Sequence, residues 1–221
     1  MDSLIEAIVE DDRGAVKRLL AGDRSLSTRL ISRPRLYRSR IFHWIYVGDT
    51  ALHLAAAGYR VEIARLLLGA GADPNAATNH RVSRPLHYAA DGYLEGPAWN
   101  PERQVAMIQC LLDAGASIDA QDKNGATALH RAVRTRCIRA VQCLLRAGSD
   151  PRLKNKPGST PFHLAVQNTG RGGSGAVAAV AAQRQIIAEL LSVGLSPELK
   201  TRTGKTVRDC ARSGWIRDML A

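Results

Sequence analysis

Apolar residues fall at helical spacing in short blocks along most of the chain. Leu4, Ile5, Ala7 and Ile8 form one block and Ala15, Val16, Leu19 and Leu20 the next, with the turn-forming run Asp11-Asp12-Arg13-Gly14 between them. Val61, Ile63, Ala64, Leu66, Leu67 and Leu68 mark another block. It ends in Gly69-Ala70-Gly71-Ala72-Asp73-Pro74, where glycine supplies the positive φ of a helix C-cap and proline blocks continuation. The pattern predicts paired short helices. One seven-residue string, TALHLAA from Thr50, returns as RPLHYAA from Arg84, TALHRAV from Thr127 and TPFHLAV from Thr160, with a worn copy, TVRDCAR, from Thr206. The starting positions 50, 84, 127, 160 and 206 give steps of 34, 43, 33 and 46. Recurrence at near-fixed spacing is the mark of a repeat array, in which one continuous core is shared between neighbours. The two long steps read as the same unit carrying insertions.

The residues around the string sharpen this. T-x-L-H-x-A-A, an outer helix ending in Leu66-Leu67-Leu68 and the run Gly71-Ala72-Asp73-Pro74-Asn75 together resemble an ankyrin repeat. The pieces recur at Leu111 to Ala120, at Leu144 to Pro151 and, more weakly, at Leu190 to Pro197. The resemblance implies an all-α ankyrin-repeat solenoid of about five to six helix-turn-helix repeats with β-turn fingers and atypical terminal caps. We divide the chain into an N-terminal cap repeat over 1–26, an Arg/aromatic insertion finger over 27–46, repeats over 47–79, 80–122, 123–156 and 157–203, and a C-terminal cap over 204–221. A second insertion separates the helices of repeat three, near Tyr93 and Trp99, with Asn100-Pro101-Glu102 restarting a helix as N-cap, N1 proline and first-turn acid. Burial of Trp99 is expected. A third, glycine-rich from Gly170 to Gly175, precedes an Ala/Val-rich stretch with Ser174 as its N-cap, lengthening the outer helix of repeat five by about two turns.

Composition adds one consideration. The chain carries a formal net charge of +11 and a pI near 10.1, which draws acidic partners, whether proteins, nucleic acid or anionic membrane. No apolar run reaches the roughly 18 residues of a membrane span, and the first residues bear acid where a secretory signal needs positive charge. We expect a cytoplasmic protein, monomeric and not membrane-bound. Cys110, Cys137, Cys143 and Cys210 form no CxxC and no compact Cys/His cluster, so neither a zinc site nor a disulfide framework is indicated.

Catalytic and cofactor readings find little to stand on. Gly170-x-Gly172-x-x-Gly175 matches a dinucleotide fingerprint but follows a helix instead of a strand, so it fails its context test. Cys137, among Arg134, Arg136 and Arg139, is the one thiol whose cationic neighbours suggest reactivity. We expect no enzyme, no metal and no cofactor. His53, His87, His130 and His163 hold one place in four repeats. The resemblance implies that each ring hydrogen-bonds the neighbouring finger's backbone, leaving only His43 and His80 for other work.

The resemblance also places partner contacts on the concave face, at finger tips and late in the inner helices. Those positions here are Tyr46, Asp49, His80, Arg81, Ser83, Asp91, Lys123, Asn124, Arg134, Thr135, Lys156, Gln167, Asn168, Arg202 and Lys205. The set is basic, so the expected partner is an acidic protein. The insertion finger, with Arg33, Arg35, Arg38, Arg40 and Trp44, has three readings: a loop packed on the first helices, a protein contact, or a grip on nucleic acid or a phosphorylated ligand.

Overall fold

A computed structural model describes residues 2–37, 41, 43–92, 99–167 and 177–221. The helices alternate between two rows. The inner row is α1 (Asp2–Val9), α3 (Ala51–Ala57), α5 (Pro85–Ala90), α7 (Ala128–Arg134), α9 (Pro161–Ala165) and α11 (Val207–Cys210). The outer row is α2 (Arg13–Gly22), α4 (Val61–Gly69), α6 (Pro101–Asp113), α8 (Ile138–Arg146), α10 (Val177–Ser192) and α12 (Gly214–Met219). From α1 to α9 each inner helix packs on its own outer partner and on the inner helix of the next repeat, as α3 does on α5 and α5 on α7. The small residues of the repeated string make this approach possible: Ala55, Ala56, Ala89, Ala90 and Ala132 have no exposed surface. At 16 residues α10 exceeds the nine-residue α8 by about two turns; Ser174 and the glycine-rich run lie outside the described residues.

The frame within each repeat is polar. The backbone N–H of Thr50, Arg84, Thr127 and Thr160 donates to Nδ1 of the histidine three residues on, at 3.1, 3.1, 3.2 and 3.2 Å. With Nδ1 accepting, the ring proton sits on Nε2. From there His53 donates to the carbonyl of Ser83 (2.9 Å), His87 to Ala126 (3.0 Å) and His130 to Ser159 (3.0 Å). These three rings therefore cap their own helices and pin the next finger, whereas His163 caps its helix through Nδ1 while its buried Nε2 meets no acceptor. At the worn copy Asp209 replaces the histidine and accepts from Thr206 N at 2.8 Å. A carboxylate has no donor to extend onward, so it caps only its own helix.

The fingers form a ladder. An Asx oxygen closes three of them: Asn79 Oδ1 accepts from Arg81 N and Ser83 N, Asp122 Oδ1 from Asn124 N and Ala126 N, and Asn155 Oδ1 from Ser159 N, while Thr201 Oγ1 accepts from Lys205 N in the last. Lys123 N then donates to Arg81 O (2.7 Å) and Lys156 N to Asn124 O (2.9 Å), joining finger to finger. Gly158 occupies a tight joint. Its φ is +88°, and a Cβ there would stand 2.5 Å from Arg202 N. Gly148 has φ +92° with open space around it. Gly148→Ala is expected to cost about 1–2 kcal/mol for the left-handed backbone alone. Gly158→Ala should cost roughly 1–3 kcal/mol more, because Arg202's backbone must move. Paired urea-unfolding curves measure the difference.

The insertion over 27–46 adds the one β-sheet among the described residues. β1 (Arg35–Tyr37) and β2 (His43–Ile45) pair antiparallel, Arg35 opposite Ile45 and Tyr37 opposite His43. The hairpin folds back onto the inner face. Ile45 is 1% exposed and Ile41 6%. Gly58 leaves room for Ile41, whose Cγ1 lies 3.1 Å from where a Cβ would be. Before the hairpin, Ile31 N donates to Asp49 O and Gly48 N to Ile31 O, so this connector pairs with the finger of repeat two. Arg38 and Arg40 lie outside the described residues, as do Phe42 and Tyr93.

Candidate functional site

The fingers and inner helices enclose the concave face, and its acids are the place to begin. Asp49 is fully buried. It accepts from the hydroxyl of Tyr88 (2.8 Å), from Asn79 Nδ2 (2.8 Å) and from Tyr46 N (2.7 Å). Asp91 accepts from Arg131 (3.0 Å) and Arg134 (3.2 Å) and faces His43 Nε2 at 3.4 Å. Asp122 accepts from Arg131 at 2.8 Å. Arg131, whose side chain is 4% exposed, also donates to Ser83 Oγ at 2.5 Å. Burial works to raise the Asp91 carboxyl, but Arg131, with His43 and Arg134 beside it, outweighs burial and holds it far below the ordinary carboxylate range. Asp122 is likewise lowered: burial opposes, and the hydrogen bond and charge of Arg131 prevail. Every acid on this inner wall is thus matched from within.

Arg131 was not among the expected site residues. Its signal is positional: the equivalent residues are Leu54, Tyr88 and Leu164, so a guanidinium stands in a core register. A cation there needs buried anions, and Asp91 and Asp122 supply them.

The cations at the finger tips have no such partners. Lys123, Lys156, Arg202 and Lys205 are exposed and make no ion pair among the described residues. Arg81, Asn124, Arg134 and Lys156 converge with Arg131 and Leu164 around a groove of about 380 Å³ between fingers four and five and the ends of α7 and α9. Farther along, Gln167, Thr201, Lys205 and Arg212 line a second hollow of about 450 Å³. Asn168 lies outside the described residues.

Several expected contacts are used internally. Thr135 is 5% exposed; its hydroxyl donates to Arg131 O at 2.9 Å and accepts from Gly92 N, so it is a buried joint between repeats and not a surface contact. Ser83 and Asp49 are fully buried for the reasons above. Tyr46 takes a hydrogen bond from Arg81 at 2.7 Å, with the guanidinium 5.1 Å from its ring centroid, and His80 meets the same ring edge-on at 5.2 Å. These three close over one another. His43 is not free either. Its ring lies 4.6 Å from that of Tyr88, Nδ1 donates to Trp44 O at 2.7 Å, and Nε2 faces Asp91. The hairpin therefore covers the concave face of repeats two and three. Arg33 is exposed, Arg35 belongs to β1, and Trp44 is 46% exposed on the hairpin's outer side.

The cationic neighbours of Cys137 do not activate it. The thiol is 1% exposed, and burial pushes its pKa up to about 11. Trp99 is half-buried, its Nε1 donating to Gln104 Oε1 at 3.2 Å. No group of three or more His, Cys, Asp or Glu that could hold a metal occurs among the described residues. No helix among them is long and apolar enough to cross a membrane.

Comparison with known proteins agrees with this architecture. The family model described as "Ankyrin repeats (3 copies)" matches residues 98–201 and that for "Ankyrin repeat" matches residues 47–79, together more than half of the chain. Ankyrin repeat and SOCS box protein 6 of Mus musculus is 39% identical over 84 residues, 38% of this chain and 18% of that protein. The B-cell lymphoma 3 protein homolog of Mus musculus is 35% identical over 96 residues, 42% of this chain and 19% of that protein. The chain thus spans less than a fifth of the length of these curated relatives. Ankyrin repeats generally mediate protein–protein interaction and are generally non-catalytic. The repeated Thr-x-x-His frame, the paired helix rows, the finger ladder and these matches lead to one statement: this chain belongs to the ankyrin repeat family.

Proposed function

We propose that the protein is a non-catalytic scaffold that holds an acidic protein partner on the open, basic part of its concave face, over the fingers at 123–125, 155–158 and 201–205. One observation carries the reading. The inner-wall acids Asp49, Asp91 and Asp122 are consumed by internal donors, while Lys123, Lys156, Arg202 and Lys205 stand exposed. The face therefore presents uncompensated positive charge. Such a field raises the association rate, rejects basic competitors and weakens with added salt. Four free cysteines support a reducing, cytoplasmic setting.

The rival reading, nucleic acid or a phosphorylated ligand on the Arg-rich finger at 29–46, has less behind it. Arg29 pairs with Asp23 at 2.9 Å, and the Tyr46 ring already carries Arg81.

The test compares two charge reversals of equal size. Lys123→Glu/Lys156→Glu/Arg202→Glu alters the proposed face. Arg18→Glu/Arg139→Glu/Arg146→Glu alters exposed positions of the outer helices α2 and α8. A fluorescent poly-glutamate peptide should lose roughly tenfold or more in affinity with the first variant, equivalent to about 1.4 kcal/mol, and much less with the second. Equal losses would mean that net charge alone attracts the peptide, and the reading would fail. A single-stranded oligonucleotide in the same assay addresses the rival.

A further inference from the structure

We propose that the natural partner is bipartite, an acidic run adjoined by apolar or aromatic side chains, because the row of finger tips changes character along its length. This deepens the proposed function and rests on it. Six large hydrophobic residues are exposed among the described residues, and four belong to the N-terminal end of this row: Leu30 (47%), Trp44 (46%), Val47 (51%) and Val82 (41%).

Backbone contacts order the row. Ile31, next to Leu30, accepts from Gly48, next to Val47. Thr78 Oγ1 donates to Gly48 O at 2.6 Å, and Val82 N donates to Asn79 O in the adjoining finger. From there the ladder runs through Arg81 O to Lys123 N and through Asn124 O to Lys156 N, then to Arg202 packed on Gly158. One continuous ridge thus reads apolar at Val47 and Val82 and basic at Lys123, Lys156 and Arg202. Trp44 stands beside the apolar end, three residues before Val47. Strand alternation turns it outward while His43 and Ile45 turn in.

Exposed hydrophobics scattered singly need no explanation, but a contiguous set rimmed by polar residues marks an interaction site. Tryptophan is also the side chain most enriched among binding hot spots. Charge complementarity names the other half of the occupant: an apolar protein surface alone would leave Lys123, Lys156 and Arg202 desolvated without partners, which is costly. An acidic run satisfies the basic fingers, while its apolar flank covers Trp44, Val47 and Val82.

The experiment is selection of a displayed library of random 16-residue peptides on the full-length protein at 150 mM salt. The best peptide is then synthesised and measured against wild type, Trp44→Ser/Val47→Ser and Lys123→Glu/Lys156→Glu, each first checked for an unchanged melting temperature. Enriched peptides should carry an apolar or aromatic cluster next to an acidic run, and each variant should weaken binding by about tenfold. Enrichment of acidic peptides without apolar residues, or full affinity in the Trp44/Val47 variant, would overturn the bipartite partner and leave the acidic scaffold standing. Apolar peptides indifferent to Lys123→Glu/Lys156→Glu, or no enrichment at all, would overturn both.

Discussion

Arg131→Leu is expected to destabilise the fold by about 3–5 kcal/mol, although leucine is the residue that two sister repeats use at the same place, Leu54 and Leu164. The reason is what the substitution leaves behind. Asp122 and Ser83 lose their buried donor, and Asp91 keeps only the exposed Arg134 and the hairpin's His43. Removing one member of a buried ion pair strands a charge, which costs far more than the intact pair contributes. Arg131→Leu with Asp122→Asn should recover part of the loss, since an amide is cheaper to bury than an unpaired carboxylate. Urea unfolding at pH 7 measures both. If Arg131→Leu is neutral or stabilising, the cluster is not holding repeats three and four together in the way described.

A fall in stability on mild acidification is the second large effect. His53, His87, His130 and His163 are all shifted down, chiefly because burial disfavours the charged ring, and His87, with Arg131 also close, is lowered to about 3. In the unfolded chain these rings titrate near 6.5. Between that value and the folded one, the unfolded chain binds more protons. Stability is therefore complete above about pH 6.5 and declines as the pH drops below it, until the folded rings themselves take protons. Each ring contributes a slope of at most about 1.36 kcal/mol per pH unit. The carboxylates of Asp91 and Asp122 add to the loss only near and below their ordinary 3.8. Thermal melts at pH 7.5, 6.5, 5.5 and 4.5 should show a flat region and then a steepening fall. His87→Gln, whose amide can accept from Arg84 N and donate to Ala126 O, should show a shallower one. A melting temperature constant from 7.5 to 4.5 would contradict the buried, neutral rings.

Much of the fold was legible because the repeat frame is local. A Thr three residues before a His sets the cap in three of the four repeats, an Asx and a Gly close the fingers at 122–126 and 155–159, and alanines sit where helices touch. These features depend on neighbours in sequence, so spacing reveals them. The concave site was legible only in outline, for a different reason. Whether Asp91 is a contact or a counter-ion depends on Arg131, 40 residues away. Thr135 occupies an inner-helix end that is ordinarily open, yet Gly92 from the preceding repeat covers it. The insertion at 27–46 repeats nothing elsewhere in the chain, so no spacing there separates a loop from a hairpin. Nothing local states that Ile41 and Ile45 would draw it back over α3 and onto Tyr88. Arg131 does carry a local signal: it breaks the apolar register of its string, and a charge in that register announces buried partners.

That fold-back shapes the functional reading. With the hairpin over repeats two and three, Tyr46 and Arg81 meet each other, and the open basic surface begins at Lys123. The proposed partner surface therefore lies over the fingers at 123–125, 155–158 and 201–205, and the charge reversals are placed there instead of at Arg81 and Arg134, which are engaged within the protein.

The most direct test of the central claim is a backbone amide NMR titration with an acidic peptide. We predict shift changes concentrated at 123–125, 155–158 and 201–205, together with the end of α7 at Arg134, fading as salt is raised. Changes confined to the outer helices α6 and α8, or spread evenly over all exposed arginines and lysines, would contradict it.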